Sequence, residues 1–473
     1  MVFSSILFLQ YFLPLFLLAY HLVPKGAKNL VILAASIVFY AWGAPRFVFV
    51  ILGSTILDFY LVQWLYNSKS TQKRKALLAT SISLNLGLLA YFKYANFFIE
   101  TVNQVAISLG TAPISWLNVA LPIGISFYTF QTITYSIDVY RKEHAPFAKL
   151  TNYLLYIMSF PQMIAGPIVR FNTVADQIIS RVETWDDKII GFFRFSLGLA
   201  KKVLVANVLA VYANSVFNGT IESLHTTQAW LGVLAYTFQI YFDFSGYSDM
   251  AIGLGRMLGL KFPENFNSPY VSKSISEFWR RWHITLGSFM KNYLYIPLGG
   301  NKVSNPLRLY FNLGLVFLIS GLWHGASWNF VLWGVFHGLF LILDRLFLLK
   351  LLQKIGGIPA TIFTFFIVAM GWVVFRLENL VDIKQFFLKL FDFRDFIPPS
   401  ISLEASVIMV IAIIFSGITY FPLGQRWQHF FFEKSNYKTS SLLALSIVGI
   451  VLLILSSSSI ISSDFNPFIY FRF

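Results

Sequence analysis

A histidine between two long apolar runs is the residue of this sequence best placed to do chemistry. His324 lies in SGLWHGASWN, residues 320–329, and is followed at once by a glycine, which lets a ligand or another backbone approach closely. An imidazole in so apolar a stretch is costly unless it is neutral and hydrogen-bonded, and the neutral form is the one a general base needs. We predict that His324 is functional and that Trp323 and Asn329 support it.

Two other histidines occur in comparable surroundings. His337 lies in the apolar run after His324 and also precedes a glycine, and we interpret it as a hydrogen-bonded structural residue. His283 ends the motif EFWRRWH, and two interpretations stay open for it: a structural histidine on an aromatic helix face, or a second functional imidazole.

The residues before His283 predict a helix. Ser274 followed by Glu277 is a capping box, and Glu277 with Arg281 is a favourable i,i+4 pair. Helical spacing places four residues on one face: Trp279, Trp282, His283 and Leu286. An interfacial helix whose Trp and Arg side chains contact lipid headgroups explains the motif without chemistry. Support of a substrate by Arg281 and Trp282 is the alternative.

An acidic cluster ends an earlier apolar run. The string YFDFSGYSDM, residues 241–250, contains Asp243, Ser245, Ser248 and Asp249. Ionisable residues are costly in lipid, so Asp243 and Asp249 are candidates for lining a site. The structural alternative is that they cap neighbouring helices or pair with Arg256.

The composition defines the class of protein that must position these residues. Of 473 residues, 57% are hydrophobic and only 12% are charged, which excludes a disordered chain and a typical soluble enzyme and leaves a polytopic membrane protein. The net charge is 36 − 21 = +15, but the basic residues occur in short clusters between apolar blocks. This pattern is typical of cytoplasmic loops and lipid headgroup contacts rather than nucleic-acid binding.

Cysteine is absent, so a disulfide, a zinc–thiolate site and a cysteine nucleophile are excluded. The sequence predicts no metal site and no bound cofactor. The first apolar stretch has no basic n-region and no cleavage signal, and we interpret it as a membrane span.

Thirteen apolar runs predict roughly 11 transmembrane helices plus short re-entrant elements in one membrane domain, residues 1–473. The basic loop at residues 69–75 is predicted to be cytoplasmic, which places the N-terminus outside. Residues 382–393 predict an interfacial amphipathic helix. The runs are 1–22, 29–42, 47–65, 76–92, 117–139, 153–165, 189–217, 229–244, 307–322, 328–349, 358–374, 405–421 and 441–461.

Four motifs in this order resemble the membrane-bound O-acyltransferase family, most closely its bacterial branch that acetylates secreted polysaccharides such as alginate. They are FPQMIAGPIVR at 160–170, YFDFSGYSDMAIGLGRMLG at 241–259, FWRRWHITL…YLYIPLGG at 278–300, and SGLWHGASWN at 320–329. The resemblance implies an all-α membrane fold in which a ring of helices surrounds a central tunnel. It matches His324 to the family's invariant histidine and His283 to its second histidine.

The resemblance implies acetyl transfer from a cytoplasmic thioester, acetyl-CoA or an acyl carrier, toward an extracytoplasmic polysaccharide. His324 would be the general base, and His283 or Asn329 would supply a donor to the oxyanion. Arg280, Arg281, Lys201 and Lys202 are candidates for contacting donor phosphates, although lipid headgroups explain them equally well. The implied surroundings are the bacterial inner membrane, its lipids, and an SGNH-type acetyltransferase partner outside.

Two other function classes stay open at this stage. One is transfer of D-alanyl or another acyl group to teichoic acid or peptidoglycan, because the motifs do not distinguish one acceptor polymer from another. The other is a transporter or a non-catalytic scaffold of a secretion complex. A transporter typically shows symmetric broken helices in two halves, whereas here the polar clusters lie in one central region.

Overall fold

The computed structural model describes residues 1–394, 397–398, 401–434 and 436–463, and the regular elements of this part are all helical. The all-helical prediction is therefore confirmed. The chain divides into two compact units: Met1–Lys188 with Leu254–Pro263, and Ile189–Gly253 with the described residues from Glu264 onward. A single membrane domain stays a prediction.

Among the described residues, seven helices are long and apolar enough to cross a membrane. This agrees with a multi-pass membrane protein but does not confirm a count of 11. Several predicted spans are not among the seven. Some coincide with an apolar helix that is too short, such as Leu7–Leu22, and others with a helix that carries several polar residues, such as Thr226–Met257. The seven candidates are Lys25–Gly43, Val48–Asn67, Thr71–Ser108, Pro306–His324, Gly357–Arg376, Leu403–Tyr420 and Thr439–Ser462.

The first unit contains helices α1 to α9 and three shorter helical turns. A π-helical turn, Leu7–Phe12, precedes α1, a 3₁₀ turn, Lys25–Ala27, precedes α2, and another π-helical turn, Ala90–Tyr94, joins α4 to α5. The helices are α1 Leu13–Leu22, α2 Lys28–Gly43, α3 Val48–Asn67, α4 Thr71–Leu89, α5 Ala95–Ser108, α6 Ile125–Arg141, α7 Leu150–Met158, α8 Phe160–Met163 and α9 Phe171–Ile179.

Two predicted spans of this unit have different limits in the structure. The span predicted at residues 76–92 is part of one continuous helix of 38 residues, Thr71–Ser108. The span predicted at residues 117–139 begins only at Ile125, because the preceding segment is extended. Asn96 and Asn103 hold that segment against α5 by binding the backbone of Val119 and Ile114 through both amide atoms.

A buried carboxylate joins four helices of the first unit. Asp58 of α3 is fully buried and accepts hydrogen bonds from Ser81 and Asn85 of α4 and from Tyr153 of α7, the last at 2.6 Å. Ser136 of α6 completes the cluster. Because each polar group here has partners, the helices can carry these groups inside an apolar interior without a large desolvation cost.

The second unit contains most of the residues predicted to be functional. The helices are α10 Trp185–Ala200, α11 Asn207–Phe217, α12 Thr226–Met257, α13 Ile275–Arg281, α14 Ile284–Phe289, α15 Pro306–His324, α16 Trp328–Leu343, α17 Leu349–Ile355, α18 Gly357–Arg376, α19 Leu380–Leu390, α20 Leu403–Gly417, α21 Pro422–Gln428 and α22 Thr439–Ser462. π-Helical turns join α10 to α11 and follow α14, α16 and α21. The first residues of α10 and the last of α12 are assigned to the first unit.

The second unit has an aromatic core. Trp282, Trp333 and Trp372 are at most 3% exposed and belong to the same buried cluster. Helix α19 also packs into this cluster through Ile383 and Phe386. The prediction of an interfacial helix at residues 382–393 is therefore wrong about its surroundings, because the apolar face that suggested a lipid interface is covered by protein.

Candidate functional site

Helix α15 positions His324 at its C-terminal end. The helix begins where the Asn305 side chain accepts a hydrogen bond from the backbone N–H of Leu307 at 2.9 Å, with Pro306 at the first helical position. It ends at His324, because the next residue, Gly325, has an extended backbone. The His324 side chain is 6% exposed, so it is held inside the protein.

Glycines allow the next helix to pack closely against this end of α15. A Cβ atom on Gly321 would overlap the carbonyl oxygen of Phe330 and press on the backbone of Gly334 in α16. A Cβ on Gly325 would overlap the ring of Phe330. The sequence SGLWHG therefore permits a backbone contact that fixes the position of His324 relative to α16.

Aromatic rings surround the His324 imidazole. The ring centres of Trp323 and Trp333 each lie 5.0 Å from that of His324, and the ring of Phe375 lies 5.4 Å away. All three meet it edge to face, at angles of 74° to 82°. Such walls exclude water, so electrostatic interactions inside the site are stronger than they would be in solvent.

His283 lies at a break between two short helices and not on the predicted continuous helix. Helix α13 ends at Arg281, α14 begins at Ile284, and His283 has a left-handed backbone with φ 47° and ψ 52°. This conformation is uncommon for residues other than glycine and is found preferentially at functional sites. The prediction of one shared face from Trp279 to Leu286 is wrong, because the break changes the direction of the chain.

Asn265 holds the His283 ring. The Nδ1 atom of His283 lies 3.0 Å from Oδ1 of Asn265, and Oδ1 also accepts a hydrogen bond from the Thr285 hydroxyl at 2.8 Å. The amide nitrogen of Asn265 donates to Ser248 at 3.1 Å. An amide oxygen only accepts hydrogen bonds, so this arrangement assigns the imidazole proton of His283 to Nδ1.

The two histidines lie together. The ring centres of His283 and His324 are 6.5 Å apart, and Trp323 lies beside both rings. His283 is 1% exposed and lies outside the candidate spans, and burial lowers its pKa below the ordinary value because the charged form loses water. Neutral imidazoles in a dry pocket can accept a proton from a hydroxyl group.

Asn329 contacts protein rather than open space. Its amide nitrogen lies 3.3 Å from the carbonyl oxygen of Val374 and 3.2 Å from that of Phe375, at the end of α18. Its amide oxygen accepts a hydrogen bond from Ser327. The structure therefore directs this amide at the backbone of α18, and the expected oxyanion donor is not offered by this geometry.

The acidic residues of the second unit form ion pairs. Asp243 pairs with Lys202 at 2.8 Å, and both side chains are at most 3% exposed. Asp249 pairs with Arg194 at 2.7 Å and with Lys201 at 2.6 Å, and Arg194 also binds Glu264. These contacts favour the structural interpretation, with partners other than the Arg256 considered from the sequence.

The remaining predicted residues around His283 serve the packing of α13. Ser274 accepts a hydrogen bond from the backbone N–H of Glu277, as the capping pattern predicts, and Arg281 binds Glu277 at 2.9 Å. Trp282 is buried among core aromatic rings and does not lie at a lipid surface. Arg280 is exposed, whereas Lys201, Lys202 and Arg281 are bound to carboxylates of the chain.

His337 is buried in α16, between the rings of Trp279 and Trp333 at 4.9 Å each. Neither of its ring nitrogens has a hydrogen-bond partner among the described residues, so the structural hydrogen bond that we expected is not found there. Within the same residues, no three His, Asp or Glu side chains are grouped so that they could hold a metal ion.

Asn265 and Lys202 could not be selected for these roles from the sequence. Asn265 lies in a segment without helical periodicity, between a glutamate and a phenylalanine. Lys202 lies next to Lys201, in a short basic cluster of the kind that is common in cytoplasmic loops. The only available signal is that a polar residue near an apolar run needs a partner, and the partner's position depends on the tertiary fold.

The sequence profile of the membrane-bound O-acyltransferase family matches residues 141–377. The chain is 44% identical over 396 residues to a protein named probable alginate O-acetylase from Azotobacter vinelandii, which covers 84% of this chain and 79% of the relative. It is 38% identical over 415 residues to the peptidoglycan O-acetyltransferase of Helicobacter pylori, covering 80% and 78%. It is 30% identical to the teichoic acid D-alanyltransferase of Streptococcus thermophilus, covering 48% and 58%.

These similarities agree with the two histidines that meet in an aromatic pocket and with the apolar helices. The profile covers half of the chain and includes both histidines. The chain belongs to the membrane-bound O-acyltransferase family and is a multi-pass membrane O-acyltransferase.

Proposed function

We propose that the chain transfers an acetyl group from a cytoplasmic thioester to an acceptor hydroxyl group. The acetyl group is destined for O-acetylation of an extracytoplasmic polysaccharide, which is alginate-like or another surface polymer. The observation that carries this proposal is the meeting of His324 and His283, 6.5 Å apart between ring centres, in a pocket walled by aromatic residues. The names of the relatives with 38% to 44% identity favour acetyl as the acyl group and a polymer as its destination.

His324 takes the proton of the acceptor hydroxyl in this proposal. The oxygen attacks the thioester carbonyl carbon, a C–O bond forms, and the C–S bond breaks. The proton on His324 then passes to the leaving thiolate, so the imidazole returns to its neutral form. General-base catalysis of this kind contributes about 10²- to 10⁴-fold to the rate. Because the chain has no cysteine, an acyl-cysteine relay is excluded.

The donor, the partner and the location are parts of the same proposal. We assign the donor to acetyl-CoA or an acetylated acyl carrier protein, the membrane to the bacterial inner membrane, and the final delivery to an SGNH-type acetyltransferase outside it. The basic cluster at residues 69–75, which extends into the first turn of α4, and the resemblance of the motifs support this orientation.

The experiment that tests the proposal is complementation of a deletion strain. His324→Ala should abolish O-acetylation of the surface polymer, measured by NMR of the purified polysaccharide, while the protein remains in the membrane at the wild-type level. His283→Ala should reduce acetylation equally or less. His337→Ala is the matched control and should reduce it least. Acetyl content at the wild-type level in the His324 variant would refute the catalytic assignment.

A second acceptor is favoured by one observation, the 38% identity to the peptidoglycan O-acetyltransferase of Helicobacter pylori over 80% of this chain. The same strains distinguish the two acceptors. If peptidoglycan is the destination, acetylated muropeptides should disappear in the His324→Ala strain while the acetyl content of the surface polysaccharide stays unchanged.

A further inference from the structure

We infer that Asn265 is a positioning residue of the acyl-transfer site: it holds His283 in the tautomer that carries its proton on Nδ1, so that Nε2 serves the reaction as a hydrogen-bond acceptor while His324 takes the proton. The chemistry of this inference rests on the proposed function. It also replaces the expectation that His283 donates a hydrogen bond to the oxyanion, because a neutral ring protonated on Nδ1 has no proton on Nε2.

The hydrogen bonds around Asn265 fix the direction of its amide. Its nitrogen donates to the Ser248 hydroxyl, and its oxygen receives the Thr285 hydroxyl and the backbone N–H of Thr285. Turning the amide by 180° would place its N–H groups against the N–H of Thr285. The oxygen therefore faces His283 Nδ1, 3.0 Å away, and only a protonated Nδ1 forms a hydrogen bond with it.

The Nε2 atom of His283 is left as an acceptor. It is buried and has no hydrogen-bond partner among the described residues. A buried polar atom without a partner is unfavourable, so a substrate hydroxyl that reaches it gains a hydrogen bond that the empty site lacks. The 6.5 Å between the ring centres of His283 and His324 is too far for a direct hydrogen bond between the two imidazoles.

The backbone also keeps His283 in place through Asn265. The carbonyl oxygen of Asn265 accepts a hydrogen bond from the backbone N–H of Ile284 at 2.9 Å, at the start of α14. Asn265 therefore binds two consecutive residues: its side chain contacts the His283 ring, and its main chain binds Ile284. Together these contacts keep the left-handed backbone of His283 in place. Strain of this kind persists only where the surrounding structure enforces it.

The charged groups near His283 are few. His324 is the titratable group beside its ring, and the other contacts, from Asn265, Phe244 and Trp323, are uncharged. The charged residues nearby in sequence are bound elsewhere: Glu264 to Arg194, and Arg281 to Glu277. A new charge at position 265 should therefore act mainly on the two histidines.

The tautomer can be measured without any activity. The full-length protein, labelled with ¹⁵N-histidine and held in lipid nanodiscs, gives imidazole ¹⁵N shifts that distinguish a proton on Nδ1 from one on Nε2. The His283 signals are identified by their absence in His283→Gln. We expect the Nδ1–H form in the wild type and its loss in Asn265→Leu. A wild-type His283 with its proton on Nε2 would overturn the inference.

The role in the reaction is measured by thiol release from acetyl-CoA in membranes of the deletion strain that carry each variant, with the polymer and the SGNH-type partner both present. Asn265→Leu should lower kcat about 10- to 100-fold and change KM less. Because that variant empties a buried site, Asn265→Asp, which keeps the acceptor oxygen, is used for the pH profile. A carboxylate beside Nδ1 favours the protonated imidazole, so the acid limb of the profile should move upward by about one pH unit or more.

Asn267→Asp is the matched control, because Asn267 is exposed, two residues further along the same segment, and should keep the wild-type profile. An Asn265→Asp enzyme that is active with an unshifted acid limb would contradict the inference. If the wild type itself releases no thiol, the proposed function fails, and the imidazole spectra still decide the role of Asn265.

Discussion

The buried ion pair between Lys202 and Asp243 should make each single substitution costly and the double substitution tolerable. The charged atoms lie 2.8 Å apart, and the two side chains are 1% and 3% exposed. Asp243→Leu removes the carboxylate paired with the buried Lys202 ammonium, and Lys202→Met removes the ammonium paired with the buried Asp243 carboxylate. Removing one partner of such a pair costs about 3–5 kcal/mol, whereas replacing both with apolar residues is often neutral.

These energies correspond to a measurable shift in thermal stability. Taking about 2.1 cal/mol/K per residue for the entropy of unfolding, a chain of 473 residues has about 1 kcal/mol/K. The apparent midpoint of unfolding should therefore fall by about 3–5 °C in each single variant. The double variant should unfold close to the wild type.

The assay is thermal unfolding of purified protein in detergent, followed by fluorescence-detected size exclusion, with O-acetylation measured on the same strains. Arg281→Met is the control, because its pair with Glu277 is partly exposed and worth about 1 kcal/mol or less. If the double variant lost as much stability as the two single variants together, the pairing would not be the cause. A stable but inactive double variant would show that Asp243 also takes part in the reaction.

Other variants test separate contacts. Gly321→Ala should lower the unfolding midpoint and acetyl transfer together, because its methyl group would overlap the Phe330 carbonyl oxygen. The control is Gly314→Ala in the same helix, which should be neutral or slightly stabilising because its methyl group would have no neighbour closer than 4.0 Å. Equal effects of the two substitutions would refute the close packing of α15 on α16. Asn329→Leu should cost about 1–3 kcal/mol by leaving the Ser327 hydroxyl and the α18 carbonyls unpaired, and an unchanged midpoint would contradict this role. Burial alone would raise the pKa of Glu183, but hydrogen bonds from Lys28 and Tyr20 hold its pKa below the ordinary value. The contribution of Glu183 to stability should therefore be complete above about pH 5 and decrease as the pH falls below about 4. Glu183→Gln should accordingly weaken the dependence of the midpoint on pH between about 5 and 3, and an identical dependence would exclude this pair as its source.

Polarity in an apolar context was enough to select His324 from the sequence, because a buried imidazole is costly. For His283 the same reasoning left a structural role open, and only the family resemblance favoured a functional one. Their proximity was not predictable in the same way. It depends on the close contact of α15 with α16 and on the break before α14, and both arise from tertiary packing. The local pattern EFWRRWHITL favours a continuous helix, but the backbone N–H groups of Ile284 and Thr285 donate to Asn265 instead of continuing that helix.

The acidic cluster shows a second limit of reasoning from sequence. Asp243 and Asp249 were recognised as costly, but their partners, Lys202 and Arg194, lie on a different helical segment, so neighbouring residues give no indication of the pairs. The amphipathic pattern of α19 likewise predicts an apolar face correctly without saying whether lipid or protein covers it.

The length of the helix Thr71–Ser108 makes its end a suitable site for attaching labels and antibody fragments. With a rise of about 1.5 Å per residue, its 38 residues extend about 57 Å, nearly twice the roughly 30 Å of a bilayer's hydrocarbon core. Its last residues are exposed, and the chain contains no cysteine. Ser108→Cys would therefore introduce a single reactive thiol, to which a fluorophore or biotin can be attached without background. An antibody fragment raised against this end would give a 54.0 kDa membrane protein an alignment mark for electron microscopy.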